Sequence, residues 1–162
     1  MITIREKRLR HVFRHFDKNA AGSSFNHEVF PHIHSIIHYA NSHTPIHTYK
    51  QPKNREVRIF HCSEYDYIGN VGIALKSELP EEAIQKETRD GFLIEVGLVK
   101  EFKKTQHLCI VVEKKKDRYF LITAYPGNKS ESFPHRNQTP EERSQSAAFW
   151  DKYVLLKLVD ER

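Results

Sequence analysis

The sequence has little of what disulfide-linked or membrane-spanning proteins depend on. Only two of its 162 residues are cysteines, Cys62 and Cys109, which excludes a disulfide framework and a cysteine-rich zinc site. No apolar run approaches the ~20 residues of a membrane helix, and the first ten residues lack the apolar segment of a signal peptide. We therefore expect a cytoplasmic chain that needs no covalent cross-links and has no membrane partner.

The motifs of several common enzyme classes are also missing. The sequence contains no Walker A motif, no dinucleotide-binding fingerprint, no GxSxG and no CxxC. It has no internal repeat, low-complexity tract or Gly/Ser linker. We predict a single domain over residues 1–162, with a helical part at 1–45, a sheet part at 55–162 and no cofactor.

Positive charge and histidine are present in excess. The chain has 26 Lys and Arg against 21 Asp and Glu, a net charge of +5, and 11 histidines. A basic surface suits phosphate-rich partners such as nucleic acids. Whether any of these histidines is catalytic depends on where it lies in the fold.

Hydrophobic periodicity divides the chain into helices followed by strands. Apolar stripes predict one helix over residues 4–16 and a second that ends near Ser42. Residues 43–54 are polar with two prolines and predict a loop. Further along, we predict a surface helix or loop at 80–90, a helix with Thr139 as N-cap and Pro140 at its first position, and strands at 57–62, 67–75, 92–98, 108–112, 119–125 and 154–159. This order predicts an α+β fold, in which N-terminal helices pack on a small, mostly antiparallel sheet.

A basic row on the first predicted helix is the first candidate site. Arg8, His11 and His15 stand at i, i+3 and i+7 and so share one face, which Arg14 widens. Metal-free cleavage of a phosphodiester needs such groups: imidazoles to move protons and a guanidinium to stabilise the charged phosphorane. The alternative is a solvated basic helix face.

Two hydroxyls on the strand at 119–125 form the second candidate. If Phe120, Ile122 and Ala124 face the core, the other side carries Tyr119, Leu121, Thr123 and Tyr125. Thr123 and Tyr125 would there bond a phosphate or stack on a base. The alternative is that such residues simply favour strands.

Histidines at metal-ligand spacing form the third candidate. His34 and His38 stand four residues apart on the second helix, and His43 and His47 repeat the spacing in the next segment. Since no third converging ligand or carboxylate is specified, we predict no metal site and interpret His34 and His38, with His27, as a solvated face.

Two basic runs flank the strand at 108–112. They lie at residues 100–104 and 114–116, and they suit either a groove for a nucleic-acid backbone or the protection of strand edges.

Two segments resemble a known group of ribonucleases. RHVFRHF at residues 10–16, and GFLIEVGLVKEF followed by HLCIVVEKKKDRYFLITAYPGN at 91–128, resemble the helix and the strand–hairpin run of the barnase–EndoU–colicin D–RelE superfamily, especially its phage-associated and polymorphic-toxin branches. The segment from Arg8 to His11 also resembles the basic-x-x-His arrangement of the colicin D branch. The resemblance covers about residues 5–17 and 91–128.

The resemblance implies a metal-independent endoribonuclease. By this likeness the helix histidine would be His11 or His15, with Arg8 beside it, and the strand hydroxyl would be Thr123, with Tyr125 next to it. A sheet cation would be Lys100, Lys103 or Arg118, among which the sequence does not choose; Arg14 would join these three in binding RNA.

The likeness also implies 2′-hydroxyl attack on RNA, tRNA first, leaving a 2′,3′-cyclic phosphate and a 5′-hydroxyl. The protein would be a toxin held by an immunity protein or antitoxin. Two other functions stay open from the residues: a non-catalytic nucleic-acid-binding module, and a metal-dependent enzyme or sensor that uses His34, His38, His43 and His47.

Overall fold

A computed structural model describes residues 1–5, 23–89, 91–131 and 133–159 of the chain. It divides into two compact units, one formed by Met1–Val71 and Lys104–Lys129 and the other by Gly72–Lys103 and Ser130–Arg162. Because two such units can form one domain or two, the predicted single domain stays a prediction.

The first unit is built around a five-stranded sheet and one helix. Its elements are β1 (Ile2–Thr3), β2 (Ser24–Phe25), α1 (Ile33–Ser42), β3 (His47–Gln51), β4 (Arg55–His61), β5 (Gly69–Val71), β9 (Lys103–Thr105, whose first residue closes a segment of the second unit), β10 (His107–Lys115) and β11 (Arg118–Pro126). The large sheet has the order β1-β11-β10-β4-β3, and β2, β5 and β9 form a small one.

The main core of this unit lies between α1 and one face of the large sheet. Ile33, Ile36, Ile37 and Ala40 fall at i, i+3, i+4 and i+7 and are buried, so the helix presents one apolar stripe. They share a cluster with buried residues of the central strands, Phe60, Leu108, Ile110, Val112, Leu121 and Ala124. Burial of this apolar area is the main force that holds the helix to the sheet.

A bulge in the β10–β11 hairpin changes which residues of β11 reach that core. Val111 pairs with Thr123 and Val112 with Leu121, so Ile122 is the extra residue. Leu121 therefore joins Ala124 in the main core. The strict alternation that we predicted is therefore wrong before the bulge: Tyr119 and Leu121 are on the side of the main core, and Phe120, the partner of Glu113, is not.

The second unit is a four-stranded sheet with one helix. Its elements are β6 (Ile73–Leu75), two short 3-10 turns (Lys76–Glu78 and Glu81–Ala83), β7 (Ile84–Arg89), β8 (Phe92–Val99), α2 (Pro140–Lys152) and β12 (Tyr153–Leu158). The order is β6-β12-β8-β7, and β8 and β12 run parallel. Its core centres on Ile94, Val96 and Leu155, with Phe133 and Trp150 packed against them.

The predicted fold class is wrong. Strand is the main secondary structure of the described residues, and one of the two helices is C-terminal, so this is not a set of N-terminal helices packed on a small sheet. Strand β3 occupies part of the predicted loop 43–54, and β7 most of the predicted helix or loop 80–90. In both places the polar segment pairs with the next strand along the chain in a hairpin, β3 with β4 and β7 with β8, and the propensity of the single segment does not record that pairing.

Several elements agree with prediction. β4, β8, the β10–β11 hairpin and β12 lie where the sequence predicted strands. Helix α2 begins as predicted, with the Thr139 hydroxyl accepting from the backbone N–H of Glu142 and Pro140 at the first position. The predicted helix at 4–16 lies almost wholly outside the described residues. Within the described ranges, no helix is long and apolar enough to cross a membrane.

Candidate functional site

The predicted catalytic row lies outside the part of the chain that the structure describes. Arg8, His11 and His15, and the neighbouring Arg14, fall within residues 6–22. Their proposed roles stay predictions.

Thr123 and Tyr125 lie on the face of the five-stranded sheet opposite α1, called here the second face. Thr123 is the register partner of Val111, and Tyr125 is that of Cys109; directly paired residues share a face. Tyr125 and Val111 pack against a small cluster of Val57, Ile59 and Cys109. The predicted placement of the two hydroxyl residues on one face is therefore confirmed.

Neither hydroxyl is freely displayed. The Thr123 Oγ1 atom is buried and has no hydrogen-bond partner among the described residues. The Tyr125 hydroxyl is hydrogen-bonded to the Cys109 thiol. Burial raises the pKa of Cys109 to about 12, against the opposing effects of that bond and of the Lys129 charge. Cys109 is therefore an uncharged core residue and not a nucleophile.

A histidine pair lies at one end of the second face. His61 ends β4, His107 begins β10, and the two are register partners. Their rings meet edge to face, with centroids 5.2 Å apart. His61 is exposed and His107 is half-buried, so the two imidazoles lie next to each other at a solvent-accessible end of the sheet.

Hydrogen bonds assign different tautomers to the two rings. The Nε2 of Gln106 donates to the Tyr65 carbonyl at 2.7 Å, which leaves its Oε1 to accept from His61 Nε2 at 3.3 Å. In the assigned amide orientation, His107 Nδ1 donates to Oδ1 of Asn128 at 2.8 Å. Neutral His61 then has its lone pair on Nδ1, and neutral His107 has its lone pair on Nε2.

Further cationic and aromatic groups lie along the same face towards the edge strand β3. The register places His47 beside Ile59 and Tyr49 beside Val57. The Lys129 ammonium lies 5.6 Å from the centre of the Tyr49 ring. Together with the histidine pair they combine positive charge and exposed ring faces, which bind phosphates and bases respectively.

Arg55 adds a cation at the other end of the second face. It pairs with Glu113 of β10 and with Gln51 of β3. Its Nε atom is buried and, within the described part of the chain, has no hydrogen-bond partner.

The predicted sheet cations are divided between the two units. Lys100 and Lys103 belong to the second unit, where Lys103 lies 3.6 Å from a carboxylate oxygen of Glu78. Arg118 is exposed and begins β11 in the first unit. Arg118 pairs with Lys115, two residues beyond Glu113 on β10, so the register places it on the second face, at the opposite end from the histidine pair.

The histidines at metal-ligand spacing do not form a cluster. His34 and His38 are exposed on α1. The ring of His43 stacks on Tyr39 at 3.8 Å, and its Nε2 lies 3.6 Å from Glu64 Oε1. In the described ranges no three His, Cys, Asp or Glu side chains come together as a metal site would require.

The histidine pair was missed by sequence reasoning. His61 and His107 are separated by more than forty residues, and only the antiparallel register of β4 and β10 brings them together. The one local signal is that His61 is the second-last residue of the predicted strand 57–62, and His107 comes directly before the predicted strand 108–112. Such positions predict polar side chains at the ends of strands, but they do not predict which strand ends lie next to each other.

Comparisons with known proteins found no relative of this chain. No protein-family model matches the chain, and no curated protein and no solved structure shows a detectable similarity to it.

Proposed function

We propose that this chain is a metal-independent endoribonuclease whose acid–base groups include His61 and His107. The observation that supports the proposal is the histidine pair itself, with complementary tautomers, on a face that also carries Lys129 and Arg55. Imidazole is the side chain best suited to exchanging protons near neutral pH.

The chemistry follows from these groups. One imidazole takes the proton of a ribose 2′-hydroxyl, and the resulting oxyanion forms a bond to the adjacent phosphorus. The bond from phosphorus to the 5′-oxygen breaks, and the second, protonated imidazole donates its proton to that leaving oxygen. The products are a 2′,3′-cyclic phosphate and a 5′-hydroxyl. By the family resemblance, Arg8 would stabilise the charge that develops on the phosphorane oxygens.

The strand hydroxyls have a supporting part in this proposal. The Tyr125 hydroxyl bonds Cys109 and so fixes the ring beside the site. The Thr123 hydroxyl is buried, so its part is in the packing of the sheet and not in direct contact with RNA. Arg8, His11 and His15 remain proposed contributors on the grounds of the family resemblance.

The biological setting is part of the same proposal. An endoribonuclease that acts on cytoplasmic RNA, with tRNA as the first substrate to test, would act as a toxin unless inhibited. The net charge of +5 would favour an acidic immunity protein or antitoxin that covers the second face.

A second candidate function is a nucleic-acid-binding module without catalysis. The strand hydroxyls favour this candidate, since that of Thr123 is buried and that of Tyr125 is hydrogen-bonded within the protein. In such a module the same rings and cations would hold the RNA backbone and bases only.

Incubation of the protein with total tRNA in EDTA, followed by mapping of the RNA ends, tests the proposal. We expect cleavage with cyclic phosphate and 5′-hydroxyl ends, and a loss of about 10²-fold or more for His61→Ala and for His107→Ala. His34→Ala is the matched control, since this histidine is exposed on α1, and it should cleave like wild type.

Three results would contradict the proposal. They are intact RNA with wild-type protein, cleavage that EDTA abolishes, and equal cleavage by the wild type and both histidine variants. Salt-dependent binding of RNA without cleavage would support the binding module instead.

A further inference from the structure

Tyr49 is an aromatic side chain displayed at the edge of the second face. It is 43% exposed although β3 forms part of the large sheet. In the described residues β3 is an edge strand and pairs only with β4. A tyrosine exposed to this degree contributes little to the stability of the fold.

The ring lies on the same face as the histidine pair and at a defined separation from it. Tyr49 pairs with Val57, which lies four residues before His61 on β4. At the rise of an antiparallel strand, four residues correspond to about 14 Å. His47, the partner of Ile59, occupies the intervening row, so exposed rings mark a path from Tyr49 to His61.

Positive charge accompanies the ring. The Lys129 ammonium lies 5.6 Å from the Tyr49 ring centre, and the His47 ring lies 6.0 Å away, inclined by 35°. Lysine is a flexible cation whose ammonium can move from a ring face to a nearby phosphate. A ring for a base next to a cation for its phosphate is the arrangement with which proteins hold single-stranded nucleic acid.

We propose that Tyr49 stacks on a base of single-stranded RNA one or more nucleotides away from the bond that is cut, with Lys129 on an adjoining phosphate. This rests on the proposed function, and it specifies the substrate class as unpaired RNA. A base within a duplex is already stacked on its neighbours and its ring faces are not available to a side chain.

Binding of an oligonucleotide that cannot be cleaved tests the stacking separately from catalysis. The probe is a fluorescein-labelled RNA 12-mer in which every ribose carries 2′-fluorine, which removes the attacking hydroxyl. We expect Tyr49→Ala to weaken its binding by 5-fold or more, since stacking on one base contributes about 1–3 kcal/mol. Tyr49→Phe keeps the ring and should bind within about two-fold of wild type.

Tyr67→Ala is the matched control variant. Tyr67 also has a lysine ammonium over its ring, that of Lys104 at 4.6 Å, but it lies before β5, outside the second face. This variant should bind like wild type, with circular dichroism and thermal unfolding used to verify that each variant is folded. The same 12-mer annealed to its complement should bind at least five-fold more weakly than the single strand.

The possible outcomes separate this inference from the proposed function. If wild type and Tyr49→Ala bind the single strand equally, or if wild type does not bind it, the stacking role is wrong even where RNA is cleaved. If binding depends on Tyr49 but no RNA is cleaved, the stacking role stands and the catalytic proposal fails. Equal affinity for single strand and duplex would overturn the assignment of unpaired RNA as substrate.

Discussion

The Nδ1 atom of His107 lies 2.8 Å from Oδ1 of Asn128, a residue just beyond the end of β11. This bond joins the first residue of one hairpin strand to the loop that leaves the other. It holds the imidazole in one orientation and directs its second nitrogen, Nε2, away from Asn128. Asn128 is thus a positioning residue for the proposed acid–base pair.

Replacement of Asn128 should therefore lower cleavage more than binding. We expect Asn128→Ala to reduce kcat about 10-fold with little change in KM, because the imidazole then samples both tautomers and several orientations. Asn128→Asp, which keeps an acceptor for the Nδ1 proton, should recover much of the activity and alter the pH–rate profile. Equal kcat for Asn128→Ala and wild type would show that this bond has no part in the reaction.

The two threonines near the site should respond in opposite directions to replacement by valine. Thr123 has a buried hydroxyl without a partner in the described residues, so Thr123→Val should leave stability unchanged or raise it by up to about 1 kcal/mol. Thr105 accepts a hydrogen bond from the backbone N–H of His107 at 3.0 Å, so Thr105→Val should cost about 1 kcal/mol. Urea denaturation of both variants measures the difference.

The same Thr123→Val variant also tests the contact with RNA that the family resemblance implies for Thr123. If Thr123 Oγ1 bonds RNA, cleavage should fall although the protein is at least as stable as wild type. A stable variant with full activity would show that Thr123 has only a structural role in the sheet.

Local patterns were enough to predict the central strands but not their arrangement. Period-2 alternation identified β8, and β-rich runs identified both strands of the β10–β11 hairpin, where the same alternation was assumed along 119–125. The bulge that moves Leu121 into the main core leaves no mark in that alternation. The sheet order, which joins β4 to β10, depends on pairing between distant segments.

The candidate site likewise contains some features that the local sequence predicts and others that depend on pairing between distant segments. Thr123 and Tyr125 were found because they are two residues apart on one strand, which fixes their common face. The approach of His61 to His107 comes from a register between strands that a single sequence does not encode locally. Tyr49 was missed because its segment contains polar residues between two prolines and was predicted as a loop; those prolines, Pro45 and Pro52, flank β3.

Gly69 should be intolerant of a side chain. A Cβ at this position would lie 2.6 Å from the Ser24 carbonyl oxygen and 2.7 Å from two atoms of the Pro126 ring. Backbone and a proline ring do not move aside easily, so we expect Gly69→Ala to destabilise the fold by about 2–3 kcal/mol. Thermal or urea unfolding of the variant measures this cost.

Gly97 provides the comparison for Gly69. The nearest atom to a Cβ there is the end of the Leu79 side chain, which can change rotamer. Gly97→Ala should consequently destabilise the fold less than Gly69→Ala. A larger loss of stability for Gly97→Ala would contradict the conclusion that Gly69 is the more tightly packed position.

The two buried thiols should make the fold less stable in alkaline solution. Burial raises the pKa of Cys62 to about 11, against the effect of its hydrogen bond with Tyr39, and burial likewise raises that of Cys109 to about 12. The folded state thus retains protons that the unfolded chain releases at the ordinary thiol pKa of about 8.5. Where the folded state holds more protons, stability falls as pH rises. This contribution is complete below about pH 8.5 and is lost progressively as the pH approaches the folded-state values.

Urea denaturation at intervals between pH 8 and 11 measures this loss. The double variant Cys62→Ala, Cys109→Ala is expected to be less stable at neutral pH, because it leaves cavities, but its stability should depend less steeply on pH. At pH 8 the native wild type should also react slowly with a thiol reagent and quickly once unfolded, since the thiolate is the reactive form. The same pH dependence in the wild type and the double variant would assign the alkaline loss of stability to groups other than these cysteines.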